Sequence, residues 1–160
     1  PISMIFAIII GAEIFSNFVT FAGLPDSLSQ IVEGLGLSAW TVLLLIVLIY
    51  LVLGCFLESL SMILLTVPVF YPVISNLDFG LAVLADPDAV LIWFAIIVVV
   101  VTEISLITPP IGMNVFVLRS VLPDVTLGTI FRGVFVFWVA DIFRLALIIG
   151  VPALSLWLVT

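Results

Sequence analysis

Positive charge is scarce in this sequence of 160 residues, which has no histidine, no lysine and three arginines against ten carboxylates. The missing histidine excludes the two-His zinc motif of membrane metalloproteases, and there is no glycine-rich Walker loop to bind ATP. Two carboxylates in apolar runs, Glu58 and Glu103, lack the glycine-rich context of an aspartyl-type dyad. So few cations also exclude a polybasic surface for nucleic acid. We therefore expect neither an enzyme nor a nucleic-acid-binding protein.

Charged residues of either sign are rare in this sequence. Only 8% of the residues are charged, 66% are hydrophobic and the mean hydropathy is +1.60. A soluble domain has about a quarter of its residues charged. The composition therefore predicts an all-α polytopic protein in a lipid bilayer. The single cysteine, Cys55, has no partner for an intrachain disulfide and is expected to be a small buried side chain. The chain begins at Pro1 and is apolar from the second residue, so we expect a fragment of a longer protein.

The lengths of the apolar runs predict how the chain crosses the membrane. A straight helix over residues 39–77 would be roughly 58 Å long, against a hydrocarbon core of about 30 Å, so this run must reverse or break. Two full spans and a re-entrant hairpin both satisfy this length, and a polar tip without a surface loop favours the hairpin. The predicted elements are a spanning helix at 2–22, an interfacial helix at 24–35, a re-entrant hairpin at 39–75 with its tip near 58–61, a discontinuous helix at 89–121 broken near 105–110, and an interfacial turn with a last spanning helix at 127–159.

Prolines predict interruptions inside these runs. Proline donates no N–H and pushes the preceding residue out of the helical region, so Pro109 and Pro110 predict an unwound segment near residues 105–110. Pro68 and Pro72 are expected to interrupt the second arm of the hairpin. A bilayer accepts broken backbone only where protein or a water-filled cavity receives it, so the breaks indicate a transport site.

Oxygen atoms are concentrated at both breaks. Unwound carbonyl groups and Ser, Thr and Asn side chains suit the partial dehydration of Na⁺, and the N–H groups of a half-helix that restarts after a break suit an anion. The candidate Na⁺ ligands, through side chain or carbonyl oxygen, are Ser59, Ser61, Thr66, Ser105, Thr108, Pro109 and Asn114. The candidate substrate-binding residues are Glu58, Glu103, Gly112 and Asn114.

Structural roles for the same residues are the alternatives to these functional roles. The prolines could form a simple kink, and Glu58 and Glu103 could be protonated or paired structural groups. Asp141 and Arg144 are three residues apart on one helix and are expected to neutralise each other. The tryptophans near segment ends, Trp93 among them, are expected to anchor the chain at the membrane interface.

Three stretches of the sequence carry a resemblance to a known family. They run from Gly54 to Pro68, from Glu103 to Asn114 and from Leu127 to Gly133, and the second contains the string Thr108-Pro109-Pro110-Ile111-Gly112-Met113-Asn114. Over essentially its whole length the chain resembles the C-terminal repeat of the large membrane subunit of tripartite ATP-independent periplasmic (TRAP) transporters. The string of threonine, two prolines, glycine and asparagine is specific in this setting.

The resemblance implies an elevator-type secondary transporter of the bacterial inner membrane that is driven by Na⁺ and needs no other cofactor. It would import organic anions, such as C4-dicarboxylates, sialic acid or other carboxylates. A periplasmic binding protein would deliver the anion, and a small four-helix membrane subunit would complete the assembly. Residues 39–72 would be the outward-facing re-entrant hairpin, with 89–121 beside it. Two alternatives stay open: a carboxylate or ion transporter of similar architecture without a binding protein, and a channel or purely structural membrane subunit.

Overall fold

The computed structural model describes residues 2–108 and 112–157, and within these ranges the chain is helical with connecting turns. The α-helices are α1 (Ile2–Phe21), α2 (Leu24–Gly34), α3 (Ala39–Leu53), α4 (Ser59–Ser75), α5 (Pro87–Ser105), α6 (Met113–Val121), α7 (Leu127–Gly150) and α8 (Ala153–Leu156), with one turn of 3₁₀ helix at Ala82–Leu84. No described residue lies in a β-strand. The predicted all-α fold is confirmed.

Among the described residues, three helices are long and apolar enough to cross a membrane, namely α1, α5 and α7 with 20, 19 and 24 residues. Helices α3 and α4 are also apolar but have 15 and 17 residues. At about 1.5 Å per residue they are about 22 and 26 Å long, short of a hydrocarbon core of about 30 Å. Large apolar side chains stay exposed along α1 and α7, as is typical of surfaces covered by lipid or by further protein. These features support the predicted membrane protein.

Helices α3 and α4 form an antiparallel hairpin. Near the turn, the hydroxyl of Tyr50 lies 2.6 Å from the hydroxyl of Thr66, and the Tyr50 ring packs on Phe70 with centroids 5.8 Å apart. At the other end, the ring of Trp40 packs against Phe79, which follows α4, at 5.4 Å. The early part of α3 therefore lies beside the end of α4.

The turn of the hairpin lies at residues 54–58, slightly before the predicted tip at 58–61. Glu58 is the N-cap of α4, and Ser59 and Ser61 already belong to the first turn of that helix. The prediction put the tip on the polar residues, whereas these residues cap the helix that follows. Helix α4 also continues past Pro68 and Pro72, so the predicted interruption of this arm is wrong. Packing of α4 against α1, α2 and α5 holds the backbone helical where proline removes a hydrogen bond.

Helix α5 lies at the centre of the core, against α3, α4, α7 and α8. Trp93 of this helix is fully buried, and its ring packs edge-to-face against Trp40 and Phe79 with centroids 6.0 and 5.2 Å away. The expected interfacial role of Trp93 is therefore wrong. Aromatic partners from two other segments, together with a backbone acceptor for the indole N–H, make its burial favourable.

Helix α7 runs antiparallel to α5, and two tryptophan N–H groups fix the pairing. Trp93 Nε1 donates to the carbonyl oxygen of Ile148 at 2.9 Å, and Trp138 Nε1 donates to the hydroxyl of Thr108 at 3.0 Å. Helix α7 is continuous over 24 residues, or about 36 Å. The interfacial turn and the span predicted within 127–159 therefore share one helix, which ends before the turn that leads into α8.

Candidate functional site

The two interrupted segments meet where α3 and α5 end. Gly54 is the C-cap of α3, and Ser105 is the last residue of α5. A Cβ atom placed on Gly54 would lie 1.8 Å from Ser105 Oγ and 2.4 Å from Ser105 Cβ, inside the 3.0 Å that real Cβ atoms keep. Only glycine allows this approach. The structure thus brings the observed turn of the hairpin into direct contact with the second predicted break.

Thr108 lies at the centre of this meeting point. Its carbonyl oxygen is 4.0 Å from the sulfur of Cys55, whose S–H donates to the Leu51 carbonyl oxygen at 3.3 Å. The Thr108 hydroxyl donates to the carbonyl oxygen of Ile104 at 2.7 Å and accepts from the indole of Trp138 at 3.0 Å. One residue therefore connects the turn of the hairpin, the end of α5 and helix α7.

The carboxylate of Glu58 caps α4. Its Oε1 accepts hydrogen bonds from the Leu60 N–H at 2.9 Å and the Ser59 hydroxyl at 3.1 Å. Its Oε2 accepts from the N–H and the hydroxyl of Ser61 at 3.0 and 3.2 Å. A carboxylate at a helix N-terminus satisfies free N–H groups and interacts favourably with the helix dipole. The N–H groups that were candidates to hold an anion at α4 are therefore bonded to Glu58 itself.

The half-helix α6 starts close to where α5 ends. Gly112, its N-cap, has a φ of 49°, and a Cβ there would lie 3.3 Å from the carbonyl oxygen of Thr108. The Asn114 N–H donates to the carbonyl oxygen of Leu106 at 3.2 Å, and the Asn114 side chain is exposed. Left-handed backbone and close approach both favour glycine at this position. Three candidates, Thr108, Gly112 and Asn114, thus lie together at the second break.

Glu103 is paired with a cation from α7. Arg144 Nη2 lies 2.9 Å from Glu103 Oε2 and 3.3 Å from Asp141 Oδ1. The expected pairing of Asp141 with Arg144 is confirmed, and Glu103 joins it from α5. The Glu103 and Arg144 side chains are 59% and 46% exposed among the described residues. Two carboxylates thus share one guanidinium group between two membrane-length helices.

Thr66 lies about two turns into α4 rather than at the tip of the hairpin. It is eight residues beyond Glu58, or about 12 Å along α4. Its buried hydroxyl lies 2.6 Å from the Tyr50 hydroxyl and 2.7 Å from the Met62 carbonyl oxygen. In this position Thr66 joins α3 to α4.

The two remaining candidates belong to the second break. Ser105 is fully buried beneath Gly54 and donates to the Thr102 carbonyl oxygen at 2.6 Å. Its hydroxyl is therefore enclosed between α3 and α5. Pro109 lies outside the described residues.

Sequence reasoning missed Gly54, Tyr50 and Trp138. Gly54 carried a local signal, because a glycine that follows a long apolar run is a common helix terminator. Tyr50 and Trp138 are 16 and 30 residues from their partners Thr66 and Thr108. No local pattern indicates contacts of that kind.

Comparison with known proteins agrees with the resemblance seen in the sequence. The family model for the DctM component of the tripartite ATP-independent periplasmic transporter matches residues 2–154. The C4-dicarboxylate TRAP transporter large permease protein DctM of Pseudomonas aeruginosa is 35% identical over 153 residues, covering 96% of this chain and 33% of that protein. The sialic acid TRAP transporter large permease protein SiaM of Vibrio cholerae is 33% identical over 150 residues, covering 94% and 33%.

A further relative is the isethionate TRAP transporter permease protein DctMQ of Oleidesulfovibrio alaskensis. It is 33% identical over 119 residues, covering 74% of this chain and 17% of that protein. The chain thus spans about a third or less of the length of these curated relatives. No solved structure matches the chain significantly.

Proposed function

The chain belongs to the DctM component family of tripartite ATP-independent periplasmic transporters, and from this premise we propose that it forms part of the large permease subunit of a Na⁺-driven importer of organic anions. The proposed location is the bacterial inner membrane. Import proceeds by an elevator-type movement and requires a small four-helix membrane subunit and a periplasmic protein that delivers the anion. The tripartite and periplasmic character of the family supports both partners.

The relatives support an anion as the substrate class. The three matched proteins are named for C4-dicarboxylate, sialic acid and isethionate, all of which are organic anions. Because this chain covers a third or less of each, the substrate is proposed only as a class.

The contact between the two breaks carries the proposal of an ion site. Gly54 and Ser105 hold the ends of two apolar helices together, and Thr108 lies where the hairpin turn, α5 and α7 meet. The hydroxyl and the carbonyl oxygen of Thr108 lie there, just beyond the end of the apolar helix α5. Neutral oxygens of this kind replace part of the hydration shell of Na⁺. The proposed Na⁺ region comprises the oxygens of Thr108 and Asn114 and the backbone of the adjoining turns.

Uptake by the complete transporter, reconstituted in vesicles with its partner subunits, tests the ion site. Thr108→Val and Asn114→Leu together should reduce uptake driven by a Na⁺ gradient at least about tenfold, because both changes remove an oxygen ligand at nearly constant volume. The matched control is Thr20→Val with Asn17→Leu, whose side chains hydrogen-bond to carbonyl groups one turn earlier in α1. Uptake that does not depend on the Na⁺ gradient would contradict the proposed Na⁺ region. Uptake that stays at the wild-type rate after the Thr108 and Asn114 changes would contradict it as well.

The same vesicles separate the alternative functions. A carboxylate transporter without a binding protein would accumulate the anion when the periplasmic protein is omitted. A channel or a structural subunit would show no accumulation against a gradient under any of these conditions.

We also propose that the α3–α4 hairpin is re-entrant, which the shortness of both helices supports. In a protein with Cys55 replaced by Ser, single cysteines at Ser59, Ser61 and Asn76 report the side from which an impermeant thiol reagent reaches each position. A re-entrant tip should change its labelling when Na⁺ is added. Labelling of the tip only from the side opposite Asn76, unaffected by Na⁺, would instead indicate two full spans.

A further inference from the structure

We propose that Trp138 is a positioning residue that orients the hydroxyl of Thr108 at the break after α5, an inference that rests on the Na⁺ region proposed above. The indole N–H of Trp138 reaches across from α7 and donates to Thr108 Oγ1 at 3.0 Å. The Thr108 hydroxyl donates to the Ile104 carbonyl oxygen at 2.7 Å. Trp138 thus acts through Thr108 and needs no contact with the ion.

These two bonds fix the direction in which the Thr108 oxygen can accept a cation. A hydroxyl has one proton and two lone pairs. The proton is directed to Ile104 and one lone pair to Trp138, so a single lone pair remains. Without the indole N–H, the bond to Ile104 still sets the direction of the O–H bond, but that one bond alone then holds the Thr108 oxygen in place.

The place of Thr108 in the chain makes such a restraint effective. Thr108 follows the last turn of α5, and its N–H donates to the Ser105 carbonyl oxygen at 3.2 Å. A residue beyond the end of a helix lacks the support of a continued hydrogen-bond ladder. Trp138 is itself held in place, because its ring stacks on Phe135 with centroids 5.9 Å apart and planes 21° from parallel.

Trp93 provides a comparison within the same pair of helices. Its indole N–H donates to the carbonyl oxygen of Ile148 at 2.9 Å, so it also ties α5 to α7. Trp93 is twelve residues before Ser105, or about 18 Å along α5. Loss of either indole removes one hydrogen bond between the helices, but only Trp138 has its acceptor at the break.

The complete transporter with its partner subunits, heated in detergent, provides the test. Na⁺ is varied while KCl keeps the ionic strength constant. Na⁺ that binds the folded state raises the melting temperature, and the concentration at which the rise begins scales with the dissociation constant. Trp138→Phe should move this concentration upward about three- to tenfold, the effect of one hydrogen bond.

Two further variants separate positioning from general stability. Thr108→Val should move the Na⁺ concentration at least as far as Trp138→Phe, and combining the two should move it no further, because the indole then has no hydroxyl to orient. Trp93→Phe should lower the melting temperature in both salts and leave the Na⁺ dependence unchanged.

The possible failures of the test are distinguishable. If the wild type shows no Na⁺-specific rise, the Na⁺ region and the Na⁺ coupling in the proposed function are both wrong. If the wild type responds to Na⁺, Thr108→Val weakens the response and Trp138→Phe leaves it in place, only the positioning role is wrong. Additive effects of the Trp138 and Thr108 changes would also contradict positioning.

A second measurement does not depend on how Trp138→Phe folds. Fluorotryptophan incorporated specifically at position 138, and separately at position 93, reports the surroundings of each indole by ¹⁹F NMR. The resonance at 138 should shift on titration with Na⁺ and not with K⁺, while the resonance at 93 should not respond. A resonance at 138 that is indifferent to Na⁺ would contradict the proposal.

Discussion

Gly54 touches Ser105 so closely that no methyl group fits between them, because a Cβ on Gly54 would lie 1.8 Å from Ser105 Oγ. Both residues stand at helix ends, so this contact sets the separation of α3 and α5 at the level of both breaks. The turn of the hairpin and the broken helix therefore form one continuous region.

Gly54→Ala should destabilise the complete protein by about 1–3 kcal/mol, because the added methyl group overpacks the contact with Ser105. Thermal unfolding in detergent measures the loss, and Ser105→Gly in the same protein should recover part of it. Gly133→Ala in α7 is the matched control, since a Cβ there meets no described atom within 4 Å. That change should be neutral or slightly stabilising. Equal behaviour of the two alanine variants would contradict the contact.

Glu58→Ala should cost about 1 kcal/mol, the usual effect of losing an N-cap. Glu58→Ser keeps a capping oxygen, so it should recover most of the stability and leave the KM for the anion unchanged. Thermal unfolding and uptake kinetics measure the two effects. A stable serine variant whose KM rises more than about tenfold would instead assign the carboxylate to substrate binding.

Thr66→Val should destabilise the protein by about 1–3 kcal/mol, because the buried Tyr50 hydroxyl loses its partner. Adding Tyr50→Phe should recover much of this loss, since both polar groups are then absent. Thermal unfolding compares the single and double variants. The Na⁺ concentration for half-maximal uptake should stay at its wild-type value in the double variant, and a changed value would place Thr66 in the ion site.

Arg144→Ala should lower the amount of folded protein in the membrane at least about threefold, and by more than Glu103→Gln. The first change leaves two carboxylates in membrane-length helices without a cation, whereas the second keeps the pair between Arg144 and Asp141. Arg144→Lys retains the charge and should recover part of the yield. Quantitative size-exclusion chromatography of solubilised membranes gives the order, and the reverse order would show that Arg144 does not serve to neutralise the two carboxylates.

The features that depend on local physics were predictable from the sequence. Run length and hydropathy indicated the membrane-length helices, and the break predicted from Pro109 and Pro110 follows the end of α5 at Ser105. The turn of the hairpin was predicted a few residues late, because the same polar side chains suit a turn and a helix cap. The interruption predicted from Pro68 and Pro72 was wrong for a different reason. Tertiary packing can keep a helix continuous across a proline.

The contacts between the elements of the site were not predictable. Glu103 and Arg144 are 41 residues apart, and their pairing depends on the register between α5 and α7. The approach of Gly54 to Ser105 likewise depends on where two separate helices end. A single sequence shows which residues are polar within an apolar run, but not which of them face one another.

The bond between Trp138 and Thr108 joins two side chains, whereas the indole of Trp93 bonds to a main-chain carbonyl oxygen. A substitution that removes the hydroxyl at position 108 removes the acceptor for the indole N–H at position 138. No substitution removes the main-chain carbonyl group to which Trp93 donates. Over evolution, positions 108 and 138 are therefore expected to change together, while position 93 changes on its own. Covariation of positions 108 and 138 would therefore report how α5 and α7 are aligned along their lengths.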